Sequence, residues 1–121
     1  MDGLTISSES RGASTLVRVG GEVDAYTAPM LRERLDAEIS AGHTHLVVGL
    51  EEVSFMDSSG LSVLVGGLAA ARSRNGSLSL AGPDERILRV LTITGLTDVF
   101  EIFPSVGAAC EAADGVTSQV S

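Results

Sequence analysis

The chain has 121 residues, 44% of them hydrophobic, which suffices for one two-layer domain and leaves little for a second core. Sixteen acidic residues stand against eight basic ones, all arginine, for a formal charge of −8; with three Phe, one Tyr and no Trp, this argues against direct binding of nucleic acid, by phosphate attraction or by base stacking. No run of about 20 apolar residues is available to span a bilayer, Met1-Asp2-Gly3-Leu4 lacks the basic and apolar segments of a secretory signal, and the single Cys110 has no thiol partner, so the expectation is a cytoplasmic protein without disulfide or thiolate-metal chemistry.

Leu4-Thr5-Ile6-Ser7 alternates like a half-buried strand and Leu16-Val17-Arg18-Val19 reads as a second, with Glu9 to Ser14 as the polar turn of a hairpin. Gly20-Gly21 is expected to end the second strand. Thr27 is a candidate N-cap, because Pro29 falls in the first helical turn, where a missing amide proton costs nothing. Leu31, Leu35 and Ile39 then form an apolar stripe, and Gly42 closes the helix.

Leu46 to Leu50 is nearly continuous and apolar, the pattern of a central strand covered on both faces. His43 and His45 flank its start and are read as surface turn residues, since no cysteine or third close ligand completes a metal site. Val53-Ser54-Phe55-Met56 leads to Asp57-Ser58-Ser59-Gly60, and from Leu61 the period turns helical, with Leu61, Leu64, Val65 and Leu68 on one side. Gly66-Gly67 inside this helix costs about 1 kcal/mol per residue relative to alanine and points to close packing against a neighbouring backbone.

Asn75-Gly76 breaks the chain before a strand over Ser77 to Ala81. A helix carrying Ile87, Leu88 and Leu91 follows, then a short strand over Val99 to Phe103. The last helix uses Val106, Ala109, Cys110 and Ala113 on its inner face. The sum is an α/β domain over residues 1–115, a mixed sheet of about five strands packed against about four helices, with a flexible polar tail over residues 116–121.

The chemistry concentrates at residues 57–60. Hydroxyls at a helix amino end lie beside first-turn amides that have no carbonyl partner, at the electropositive pole of the peptide dipoles. One serine can cap the helix while the other is presented to a visiting protein. A phosphate there adds about 1.5 to 2 negative charges where backbone donors tolerate them. Local chemistry alone favours a plain helix cap, because such caps are common and Asp-Ser-Ser-Gly is a short string. Catalysis finds no support: a Gly-x-Ser-x-Gly elbow is absent, a Walker loop is impossible without lysine, and Asp24 and Asp57 are only two of 16 carboxylates. No catalytic residue, cofactor or metal is expected.

Three segments carry a resemblance: Gly21-Glu22-Val23-Asp24 followed by Thr27-Ala28; Val53-Ser54-Phe55-Met56-Asp57-Ser58-Ser59-Gly60-Leu61; and Thr94-Gly95-Leu96 followed by Phe100 to Phe103. In this order and at these separations, the chain resembles the bacterial anti-sigma factor antagonists, which are single STAS domains, over about residues 4–113. The resemblance implies a partner-switching cycle. The unmodified antagonist binds an anti-sigma factor that is also a serine kinase, is phosphorylated and released, and is restored by a phosphoserine phosphatase. By position, Ser58 is the phospho-acceptor, and Asp24, Asp57, Ser58, Ser59 and Gly60 form the partner-binding set. The chain departs from many relatives at Ser62, where they have glycine, and at Ala25-Tyr26, where some have polar side chains. A scaffold or sensory module of the same fold, working without phosphorylation, is the rival reading. A free monomer is expected, since no long apolar stripe is left over once the core is assigned.

Overall fold

The computed structural model describes residues 3–120, with side chains described for residues 3–113. The tail expected over 116–121 therefore lies outside the described side chains. The elements run β1 (Leu4–Arg11), β2 (Ser14–Val23), α1 (Ala28–Ser40), β3 (His45–Met56), α2 (Ser58–Arg72), β4 (Ser77–Ala81), α3 (Glu85–Ile93), a 3-10 turn (Leu96–Asp98), β5 (Ile102–Phe103) and α4 (Val106–Val120).

The sheet order is β1-β2-β3-β4-β5. β1 and β2 are antiparallel, and every later pair is parallel. Because β2 to β5 step in one direction, right-handed crossovers place all three connecting helices on one face of the sheet and leave the other for α4. The core divides accordingly. Val17, Val19, Val48 and Leu50 pack with Leu31, Leu35, Leu64, Leu68 and Leu91 in the larger cluster. Leu16, Val47 and Ala81 pack with Val106, Ala109 and Cys110 in the smaller. The apolar run Leu46–Leu50 is thus buried from both sides, as its composition requires. Gly49 sits under α4: an added Cβ would lie 3.1 Å from Val106 Cγ2.

Several local expectations are corrected. The hairpin turn is only Gly12-Ala13, because Gly12 takes a positive φ of 59° and lets the strands run nearly to the turn. β2 does not end at Gly20-Gly21 but continues to Val23. Its pairing with β3 absorbs irregularities between Arg18 and Gly20 and between Gly21 and Glu22. On α2, Val63 is buried where Val65 was expected, and Val65 is 39% exposed. Leu88 of α3 is exposed rather than inward. Gly67 does lie in a tight place, but against side chains: its added Cβ would meet Leu35 Cδ1 and Leu78 Cδ1 at 3.0 Å, while Gly66 faces open space. The strand expected over Val99 to Phe103 is reduced to Ile102–Phe103, because the Val99 and Phe100 N–H groups both bond back to Leu96 O, closing the 3-10 turn, and Phe100 is buried.

α1 ends as read, with Gly42 at φ 96° and the paired bonds Gly42 N–H to Ile39 O and His43 N–H to Glu38 O. His43 and His45 are exposed and held apart. His43 Nδ1 is 2.7 Å from Glu38 Oε1 and His45 Nδ1 is 3.1 Å from Ser77 Oγ. The hydrogen bond with His43 holds the Glu38 carboxyl below its usual range against the opposing effect of partial burial.

Candidate functional site

Parallel pairing of β2 and β3 decides where the site lies. The last register pair is Val23 with Met56, so Asp24 and Asp57 are the first residues beyond two adjacent strand ends. Carboxyl ends of neighbouring parallel strands are where open α/β sheets present loops for recognition. A main-chain bond ties the two loops: Asp57 N–H donates to Val23 O at 3.1 Å.

Asp57 is the N-cap of α2, and its Oδ1 accepts the Ser59 N–H at 2.9 Å. The expectation that a serine caps the helix is therefore corrected. A residue at the cap keeps extended backbone, here φ −107° and ψ −169° at Asp57, whereas Ser58 is already helical. The consequence favours Ser58. It stands in the first helical position, exposed, and no partner holds its hydroxyl among the described residues. Of the amino-end amides, Asp57 is bonded to Val23 and Ser59 to the Asp57 side chain, which leaves those of Ser58 and Gly60 without a partner among the described residues, the Ser58 amide on the exposed side. Ser59 is half-buried and Gly60 buried. Glycine is needed at 60 because a Cβ would lie 2.7 Å from both Met56 Cγ and Val23 Cγ1, so any side chain would push the helix start off the strand ends.

Asp24 organises the neighbouring loop. Its Oδ1 accepts the backbone N–H groups of Tyr26 and Thr27, each at 3.0 Å. Thr27 does not cap α1 with its side chain, contrary to expectation. Its buried hydroxyl instead lies 2.8 Å from Glu22 O and 3.1 Å from Asp24 Oδ1 and accepts the Asp24 N–H at 2.9 Å, closing the loop on itself. The Thr27 amide, opposed by some desolvation and aided by the Thr27 hydroxyl and the Tyr26 amide, holds the Asp24 carboxyl below its ordinary range. Sequence reasoning missed this role of Thr27; the Asp-x-x-Thr spacing is its only trace.

All five expected residues thus meet at one end of the sheet, Asp24 in the loop after β2, Asp57 at the cap of α2 and Ser58, Ser59 and Gly60 in its first turn. Sequence reading did not register how far Tyr26 stands out: it is 89% exposed. Among the described residues no three His, Cys, Asp or Glu side chains are grouped to hold a metal ion, and no helix is long and apolar enough to cross a membrane.

The family profile of the STAS domain matches residues 5–109. The anti-sigma-B factor antagonist of Listeria monocytogenes is 45% identical over 84 residues, 69% of this chain and 74% of that protein. Its counterpart in Bacillus subtilis is 43% identical over 86 residues, 71% and 78% of the two chains. Among solved structures, the anti-sigma factor antagonist SpoIIAA in its unphosphorylated form superposes with a TM-score of 0.79 at 24% identity, covering 92% of this chain and 97% of that one. The phosphorylated form of the Bacillus protein gives 0.70 at 23%, covering 89% and 98%. The five-stranded mixed sheet with four helices is therefore the fold of those structures, and the chain belongs to the STAS domain family and, within it, to the anti-sigma factor antagonists.

Proposed function

We propose that this antagonist binds an anti-sigma factor that is also a serine kinase, thereby freeing a sigma factor, and that phosphorylation of Ser58 ends the complex until a phosphoserine phosphatase reverses it. The observation that carries this reading is the exposed Ser58 hydroxyl at the first position of α2, beside two unengaged amides. That a protein of the same fold has been solved in a phosphorylated form supports it.

In the transfer, Ser58 Oγ forms a bond to the γ-phosphorus of ATP while the bond from that phosphorus to ADP breaks. The hydroxyl proton passes to a base on the kinase, which also brings the magnesium and the cationic side chains. The new dianion is tolerated by the helix amino end. In the interface it lies near the Asp57 and Asp24 carboxylates, so like charge and lost solvation oppose continued docking. A penalty of about 3 kcal/mol lowers affinity more than a hundredfold, so no change of fold is required.

Ser58→Ala is expected to bind the kinase as the unmodified protein does and to gain no phosphate by intact mass after incubation with kinase and ATP. Ser58→Glu is expected to bind at least about tenfold more weakly by calorimetry. Phosphate uptake by Ser58→Ala at the normal rate would remove Ser58 from its role.

A further inference from the structure

Among the described residues seven large hydrophobic side chains are exposed, and four of them, Tyr26, Met30, Phe55 and Val65, sit on the segments that flank Ser58. Tyr26 is the most exposed of the seven at 89%, and Met30, four residues on in sequence, is 50% exposed. Solvent exposure of an aromatic ring has no benefit to the fold, and a ring left out beside the exposed Ser58 is the mark of a contact surface. The loop beneath Tyr26 is rigid: the Tyr26 and Thr27 amides are both held by Asp24 Oδ1 at 3.0 Å. Docking a ring from such a loop costs little conformational entropy, since only two side-chain torsions are fixed. From the Asp57–Val23 bond and the reach of the intervening chain, the Tyr26 and Ser58 α-carbons are within about 20 Å of each other, inside one interface patch of about 800 Å². Exposed Glu22, with Asp24 and Asp57, gives the two strand ends beside Tyr26 and Ser58 a negative charge.

We infer that Tyr26 is the anchor by which the anti-sigma factor kinase is held and selected, its ring entering an apolar pocket that basic side chains rim on the partner. This rests on the reading of Ser58 as the acceptor in the same interface. Tyrosine is among the residues that dominate binding at the centre of such patches. The ring is given no part in the phosphoryl transfer, so it contributes equally to the bound state and the transition state, and its loss appears in KM and not in kcat.

The test compares wild type, Tyr26→Ala and Tyr26→Phe against the purified anti-sigma factor kinase of the source organism, by phosphorylation kinetics and by calorimetry without ATP. Tyr26→Ala is expected to raise both KM and Kd at least about tenfold with kcat within about twofold, and Tyr26→Phe to stay within about threefold of wild type. All three should unfold at the same temperature, since the ring packs against nothing. Unchanged KM and Kd in Tyr26→Ala overturn the anchor and leave the role of Ser58 standing. If wild type binds but gains no phosphate at Ser58, the acceptor reading fails while Kd still decides the anchor; if wild type does not bind at all, both are overturned.

Discussion

Two aspartates at the ends of β2 and β3 do different work: Asp57 caps α2, and Asp24 braces the loop that leads into α1. Asp24 is held below its ordinary range in the folded state by the Thr27 amide first and by further donors after it. A carboxyl so depressed stabilises the fold fully above its unfolded value of about 3.9 and loses that contribution as pH falls through the lower folded value. Asp24→Ala should therefore be less stable than wild type at neutral pH, and the gap between their urea midpoints should close as pH is lowered below about 4. A gap that stays constant down to pH 3 would show that the carboxylate has no special hold on the loop. At this scale the sequence singled out Asp24, Asp57 and Ser58 as candidates but assigned the cap to a serine, where the structure gives it to Asp57. Side-chain periodicity begins only where packing begins, at Leu61, so the three residues before it were indistinguishable until their backbone angles were known. Thr27 was equally hidden, because a threonine before a helix looks like a cap whichever way its hydroxyl turns.

Helix α2 shows how one dipeptide holds two opposite environments. Gly67 is closed in by Leu35 of α1 and Leu78 of β4, whereas Gly66 opens to solvent. Gly66→Ala should raise stability by about 0.5 to 1 kcal/mol through helix propensity alone. Gly67→Ala gains the same propensity but forces two leucine methyl groups to move, and overpacking of that kind costs about 1 to 3 kcal/mol. Thermal unfolding should place Gly66→Ala above Gly67→Ala; the reverse order would mean that the contact between α1 and α2 is loose. The sequence showed that the glycine pair was unusual but not which member was confined, since that depends on the rotation of α2 against α1. Likewise β3 was legible as two apolar pieces. Glu51-Glu52 interrupts the pattern, yet the strand continues because Glu51 finds a place on the α4 side, where its Oε2 accepts the Val106 N–H at 3.0 Å.

At the scale of the whole molecule, alternating helices and strands and the apolar run at residues 46–50 made the α/β class and the central strand readable. The strand order, and with it the meeting of the Asp24 and Asp57 loops, follows from pairing across more than 30 residues of sequence, which local patterns do not encode. The net charge of −8 has its own consequence. Docking to a partner with a basic face should be steered, so the association rate should fall at least about tenfold between ~0.05 and ~0.5 M salt, with a much smaller change in dissociation. Stopped-flow mixing measures both, and a salt-independent association rate would show that steering plays no part.

The bond from Asp57 N–H to Val23 O joins one main chain to another and is blind to the side chains around it. Positions 25 and 26 can therefore change without moving Ser58, so on the reading proposed above the choice of partner can change while the acceptor stays in line. On that same reading, a handful of loop residues would set the partner while one unchanged frame lies beneath them.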